Sequence, residues 1–597
     1  MLVNVRPLLA VLAALPVFAT TPVKAPVPLK ASPTVRRWMK SMTLRDEVAQ
    51  LVFLEFHGGS PNTRSRDYQK FVRLIHDTKV GGLILINITN GRVVQKAEPY
   101  ALAAFLNRMQ RIAPVPLLVG ADFERGASMR VSGTTAFPHA MAFGATGDPS
   151  LTRFEGEVTA REARALGVHW VYYPVADVNN NPDNPIINIR SFGENPLAVA
   201  AHVKAFIEGA RADKRNLVLT TAKHFPGHGD TGVDTHLSLA EITASRERLE
   251  NLELVPFRAA IEAGVDAIMT GHIAVPALEP AAVPATLSPA ILTGLLRGQL
   301  DFKGLVITDA LGMGAIVSAF GSGEAAVRAL QAGADTLLMP ADADAAIRAV
   351  VAAVQSGRLT RQRIQSSVVR ILSAKERLGL DRKRFVDVES IGDVIDDPAV
   401  DDRAQEIADR AVTLVRNGSN LLPLAAPERA CFVVMTTGRY SAEGMVFAQE
   451  VRKRLPRAVL ATLDAGMTRE AVDDLLPKPA GCAEYAVAAF APVTPGSGTV
   501  GLAGELSPAL DNLIAGGKPV ALVALGNPYL LRNYPKVRAY LATFSNVPPS
   551  EVSAVKALWG EIPIRGHLPV TIPGEARYGE GMQLPATRAA PGGIGQK

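Results

Sequence analysis

Cysteine is scarce: 597 residues carry only Cys431 and Cys482. That excludes a small disulfide-stapled scaffold, and the two thiols fit no Cys/His metal spacing, so a thiolate zinc site is excluded as well. Spacing does not decide pairing, and two separate buried thiols are the expectation. Aromatic residues are 6% of the chain, and no run of five or six basic residues occurs. This is poor material for a base-stacking groove, so no nucleic-acid partner is expected. The formal charge is +6, from 63 basic and 57 acidic residues. A mildly basic surface favours acidic polymers or anionic cell-wall fragments. No apolar run approaches the roughly 20 residues needed to cross a bilayer, so no stable membrane insertion is expected. The longest, PLLAVLAALPVFA, follows Arg6 and ends in small residues before Lys24 and Ala25. It reads as a signal peptide over 1–25, and hence as an exported protein, periplasmic or extracellular.

What the chain does contain is a repeated pattern. After a Pro-rich stretch at 26–33 come eight short apolar segments, at 51–56, 80–88, 115–120, 168–175, 216–222, 265–270, 304–308 and 334–339. Most are continuously apolar, as strands buried on both faces are, and amphipathic stretches separate them. Eight such repeats over about 300 residues predict an α/β fold, a (β/α)8 TIM-type barrel spanning 26–380. A charged stretch broken by Gly and Pro, 381–403, reads as a linker. From 404 to 597 a second α/β pattern predicts a separate layered domain, with strands near 431–435, 458–463, 485–490, 520–525 and 537–544. The Gly/Pro-rich tail after Gly574 is expected to fray.

In a barrel of this kind chemistry sits on the loops that leave the carboxyl ends of the strands. Five successive segments deliver ionisable groups there. The third is followed by ADFERGASMR, with Asp122, Glu124, Arg125 and Arg130. The fourth leads into DVNNNPDNPIINIRSFGENP, with Asp177, Asn179 and Arg190. The fifth leads into KHFPGHGDTGVDTH, from Lys223 and His224 to Asp234 and His236; the sixth ends near His272, the seventh at Asp309. In an extended segment, residues two apart share a side, so Asp234 could orient His236, and a carboxylate beside an imidazole suits a general acid/base. His228 and Asp230 have the same spacing, and spacing does not choose between the pairs. Three histidines with aspartates could instead bind zinc, but Gly/Pro-rich sequence preorganises ligands poorly and no helical HExxH pattern is present. Asp309 could be a nucleophile, a base or a helix N-cap. Glycosyl transfer with retention needs a carboxylate beneath the anomeric carbon and a proton donor near the leaving oxygen.

The strings KHFPGHGDTGVDTH, DFERGASMR, INIRSFGENP and LVITDALGMGAI together resemble glycoside hydrolase family 3. More narrowly they resemble its β-N-acetylhexosaminidase branch, which trims N-acetylglucosamine from peptidoglycan fragments. LVRNGSNLLPL, VALVALGNPYLL and GHLPVTIPG resemble the family's C-terminal α/β sandwich domain. The resemblance implies that Asp309 is the nucleophile, that His236 is a histidine acid/base with Asp234 as its dyad partner, and that Asp122, Arg130, Arg190, Lys223 and His224 bind the sugar. It implies a retaining exo-β-N-acetylglucosaminidase acting on carbohydrate, with no cofactor and no metal. The family's β-glucosidases commonly carry the acid/base as a glutamate on the second domain. A β-glucosidase or a glycoside phosphorylase is the same-family alternative, and a non-catalytic wall-binding protein the alternative from another class. Arg125 is unusual, standing in ERGASMR where many members have EGGRVQR.

Overall fold

The computed structural model describes residues 30–90, 93–494 and 496–589, so the leader assigned to 1–25 lies outside the described residues. Eight parallel strands follow in chain order: β1 Val52–Phe56, β2 Gly82–Leu85, β3 Leu118–Ala121, β4 Trp170–Val171, β5 Leu219–Phe225, β6 Ala267–Thr270, β7 Leu305–Ile307 and β8 Leu337–Leu338. Each pairs with its sequence neighbours, and β8 pairs back onto β1. A bridge between Ile307 and Thr336 joins β7 to β8 and completes the ring. The predicted barrel is therefore present. Strand β4 is far shorter than the apolar run 168–175, although hydrogen bonding to β5 continues past it: the Thr221 N–H donates to Tyr173 O at 3.1 Å and the Lys223 N–H to Pro174 O at 3.2 Å, up to the Val175–Lys223 bridge.

The barrel interior is packed solid below the site. Phe53 of β1 meets Trp170 of β4 edge-on at 5.5 Å, and Trp170 meets Tyr172 at 5.4 Å. The Trp170 indole N–H donates to Thr221 Oγ1 at 2.7 Å, so its one polar atom is satisfied without water. The covering helices start where the sequence signals it: Asp148 caps Pro149–Ala165 and Asn195 caps Pro196–Ala210, each with proline in the first turn.

The second unit is a six-stranded sheet: β9 Thr413–Asn417, β10 Ala430–Thr436, β11 Val459–Asp464, β12 Glu484–Ala491, β13 Val520–Gly526 and β14 Ala539–Ala542. Its order is β9-β14-β13-β12-β10-β11, parallel except for β9. Both faces are buried. Phe432, Val434, Ala486 and Ala488 pack with Phe447, Leu558 and Trp559, whereas Val433, Met435 and Val487 share a core with Met141, Ala142 and Ile189 of the barrel. The two units are thus joined by a common apolar layer.

Three sequence expectations need correcting. Cys431 and Cys482 are not separate thiols but a disulfide, with their Cα atoms 5.5 Å apart. Cys431 starts β10 and Cys482 lies just before its neighbour β12, a proximity set by sheet order and invisible in the spacing. Closing a loop of this size stabilises by about 4 kcal/mol in the chain-entropy account. The supposed linker is packed: helix Pro398–Ala411 crosses the 403/404 boundary, and Ile391, Val400 and Ile407 belong to the barrel's core. Its charges occupy the outer face only. The described part of the tail, 575–589, is also tied down, because the Met582 N–H donates to Leu414 O at 2.8 Å and the Thr587 N–H to Gly560 O at 2.8 Å; residues 590–597 lie outside the described residues.

Candidate active site

The loops after β1 to β8 surround a cavity of about 980 Å³ at the carboxyl end of the barrel. Asp122, Arg130, Arg190, Lys223, His224, His236 and Asp309 all line it. Asp234 stands behind His236, with a fully buried carboxylate.

One wall is a charged ring. Lys223, at the end of β5, donates to Asp122 Oδ1 at 2.8 Å and lies 2.6 Å from Glu124 Oε1. Arg130 reaches Asp122 Oδ2 at 3.2 Å, and Arg190 grips both oxygens of Glu124 at 2.9 and 2.8 Å. Burial alone would raise the Glu124 carboxyl, but the charges of Arg190 and Lys223 overcome it and hold the group well below the usual carboxylate range. Glu124 is the hub of this wall, a part that the sequence alone does not assign to it. Its place two residues after Asp122 in an extended segment, which puts both carboxylates on one side, was the available signal.

Asp177 braces the next wall. Its Oδ2 lies 2.8 Å from His224 Nδ1, and its Oδ1 accepts the His224 and His228 backbone N–H groups at 3.1 and 2.7 Å. The glycines of this loop permit the close approach: a Cβ on Gly229 would stand 1.7 Å from the Val178 carbonyl oxygen. The two His/Asp pairs left open by spacing are distinguished here. Asp230 is taken by Arg248 at 2.8 Å, and His228 sits between the Thr231 and Thr235 hydroxyls at 3.1 Å each. Asp234 Oδ1, by contrast, lies 2.9 Å from His236 Nδ1 and accepts the His236 backbone N–H at 2.9 Å. The contact fixes Nδ1 as the protonated nitrogen and leaves Nε2 toward the half-exposed side.

Asp234 Oδ2 is held from the other domain. It accepts the backbone N–H of Gly496, in the loop after β12, at 2.7 Å. Burial would raise the Asp234 carboxyl, but the His236 and Gly496 N–H groups keep it below the ordinary value. No sequence signal marks this contact. Gly496 has φ +79°, which a β-branched residue does not adopt without strain. Gly496→Val is therefore expected to pull the N–H away and lower kcat/KM by about tenfold, the worth of one charge-assisted hydrogen bond. In an Asp234→Ala background it should cost nothing further; an equal loss there would show that Gly496 acts by another route.

Asp309 follows β7 and is half-buried. It is not a helix cap: its Oδ1 accepts the Ala310 N–H at 2.7 Å, and the next helix begins only at Gly314. Desolvation pushes its carboxyl up, but His272, His224, the Ala310 N–H and Lys223 together bring it below the ordinary value. His272 lies 3.0 Å from the Ala310 carbonyl through Nε2 and 2.8 Å from Thr286 Oγ1 through Nδ1. The carbonyl can only accept, so Nε2 donates and braces the Asp309 turn. Among the described residues no three histidine, cysteine or acidic side chains converge as a metal site, and no helix is long and apolar enough to cross a membrane.

A carboxylate and a carboxylate-oriented imidazole on the rim of a parallel barrel, beside a wall of hydrogen-bonding charges, suit an enzyme that cleaves glycosidic bonds. The comparisons agree. The model of the glycosyl hydrolase family 3 N terminal domain matches residues 43–374. The chain is 30% identical over 552 residues to a beta-N-acetylglucosaminidase/beta-glucosidase of Cellulomonas fimi, covering 85% of this chain and 91% of that one. It is 33% identical over 395 residues to beta-hexosaminidase A of Pseudoalteromonas piscicida, covering 61% and 63%. Its fold matches a family 3 beta-N-acetylglucosaminidase from Paenibacillus sp. str. FPU-7 with a TM-score of 0.79 at 32% identity, over 89% of this chain and 99% of that one. It also matches a beta-glucoside phosphorylase, BglX, with a TM-score of 0.80 at 25% identity, over 90% and 96%. The chain belongs to glycosyl hydrolase family 3, and is a glycoside hydrolase of the beta-hexosaminidase type.

Proposed function

We propose that this protein is a retaining exo-β-N-acetylglucosaminidase that removes terminal β-linked N-acetylhexosamine from peptidoglycan fragments or chitin oligomers. The observation that carries the reading is the Asp234–His236 pair on the rim of the cavity that Asp309 lines. Asp309 attacks the anomeric carbon while protonated His236 donates to the leaving oxygen, giving a covalent glycosyl-enzyme. Neutral His236 then takes a proton from water, which displaces Asp309, and two inversions leave the β configuration unchanged. Asp122, Arg130, Arg190, Lys223 and His224 hold the sugar hydroxyls. Among the described lining residues Val493 alone comes from the second domain, and no carboxylate does. That favours the histidine acid/base over the glutamate-on-domain-two arrangement of the family's β-glucosidases.

Phosphorolysis is the second reading, favoured by the likeness to the phosphorylase BglX and by the physics of the base. A neutral imidazole repels an incoming phosphate less than a carboxylate does. Export is the accompanying proposal: the apolar stretch after Arg6 reads as a leader, and a disulfide between Cys431 and Cys482 suits an oxidising compartment. The test compares nitrophenyl β-N-acetylglucosaminide with nitrophenyl β-glucoside, with and without phosphate. Preference for the acetamido sugar, unaffected by phosphate, is expected. Preference for glucose would overturn the substrate, and a sugar phosphate product would change the reaction class.

A further inference from the structure

The charged wall of the cavity holds more cation than its own carboxylates can serve. Arg130 and Lys223 share Asp122, and Lys223 and Arg190 share Glu124. Four cations of this wall line the cavity, Lys223 at the end of β5 and Arg125, Arg130 and Arg190 on the loops, and Arg125 makes no side-chain hydrogen bond or ion pair among the described residues. Its place in the chain is fixed by the Glu124–Gly126 bridge, and a Cβ on Gly126 would press on Phe137 and the Thr135 carbonyl at 2.9 Å, so the backbone here has little room to move the guanidinium elsewhere. Apart from Glu124, its charged neighbours are cationic. Burial and the charge of Arg130 push Arg125 down to about 10. Burial, with Arg125 next, drives His139 well below its usual range. The carboxylate it does feel, Glu124, is already bound twice.

A half-buried guanidinium with no counter-ion is costly, and in this setting a neutral ligand removes only part of the cost. A sugar hydroxyl could accept from Arg125 but would leave the repulsion from Arg130 in place. An oxyanion satisfies the guanidinium's fork and cancels the like charge together. We propose that Arg125, supported by Arg130, binds an oxyanion carried by the terminal sugar itself, a carboxylate or a phosphate ester, so that the cavity prefers an acidic amino sugar to a neutral one. This rests on the reading above, that the cavity holds the terminal sugar over Asp309, and narrows its substrate class. Arg125 takes no part in bond cleavage.

The test is calorimetric titration of the full chain with N-acetylglucosamine, its 6-phosphate, N-acetylmuramic acid and inorganic phosphate, repeated for Arg125→Gln and Arg125→Lys. At least one acidic sugar should bind about tenfold or more tightly than N-acetylglucosamine, the worth of a charge-assisted fork. That gain should shrink with added salt, vanish in Arg125→Gln and survive in part in Arg125→Lys. Equal or weaker binding of both acidic sugars would overturn the proposal, as would a gain that persists in Arg125→Gln. Inorganic phosphate binding as well as the acidic sugars would also overturn it, assigning Arg125 to a free phosphate instead. Thermal melting of both variants separates lost binding from lost folding, and Arg125→Lys keeps the test open if the glutamine variant does not fold. Turnover of nitrophenyl β-N-acetylglucosaminide by the unaltered chain is read alongside. Its absence would sink the glycosidase reading while leaving the ratio of binding constants to decide this one.

Discussion

Asp309→Asn is expected to lower turnover of nitrophenyl β-N-acetylglucosaminide on the order of 10⁴-fold or more, as losing a covalent nucleophile does. The amide keeps the shape of the carboxylate and can still accept the Ala310 N–H that now ends on Oδ1 at 2.7 Å, so binding of N-acetylglucosamine should survive. Calorimetry on the variant checks this, and unchanged turnover would remove Asp309 from the attack. The pH dependence follows from the same group. In the proposed mechanism Asp309 must be ionised to attack, and His272, His224, the Ala310 N–H and Lys223 hold its carboxyl below the ordinary value against the upward push of desolvation. Its ionised form is lost only as pH falls through that depressed value. An acid limb in kcat/KM above about pH 5 would therefore have to come from another group.

His236→Ala carries the second large effect. Loss of a general acid costs about 10²- to 10⁴-fold, and the cost grows with the basicity of the leaving oxygen. A chitin disaccharide should suffer near the upper end, and a nitrophenyl glycoside, whose leaving group needs little protonation, near the lower. With the base also gone, the glycosyl-enzyme should persist, and added azide should speed turnover by forming the β-configured glycosyl azide. An equal loss on both substrates with no azide rescue would take the acid/base role away from His236. Asp234→Ala should fall between the unaltered chain and His236→Ala, because the imidazole would lose its orientation but not its proton.

Both experiments address residues that the sequence placed at one rim. The eight apolar runs are legible because strands buried on both faces must be apolar throughout, and loop chemistry at their carboxyl ends follows from the barrel. Within that rim Asp309, His236 and Arg190 each stand in a short polar string next to an apolar one. What distinguished Asp234–His236 from His228–Asp230 was not spacing but neighbours: Arg248, from a separate helix, takes Asp230, and the hydroxyls of Thr231 and Thr235 take His228. Glu124 was visible as a rim carboxylate but not as the partner of both Lys223 and Arg190, since Lys223 ends β5 and Arg190 lies on the loop after β4.

The sequence by itself determined the barrel, the second α/β unit and the set of ionisable side chains delivered to one mouth, because periodicity and local turn chemistry are properties of neighbouring residues. Tertiary structure alone decided the rest. The pairing of Cys431 with Cys482 needed the sheet order that sets β10 beside β12. The packing of 391–407 needed the barrel's apolar flank, and the hold of Gly496 on Asp234 needed two domains fixed by a shared core. Each of these joins residues far apart in the chain, and a contact made only after folding leaves no local pattern in the residues that make it.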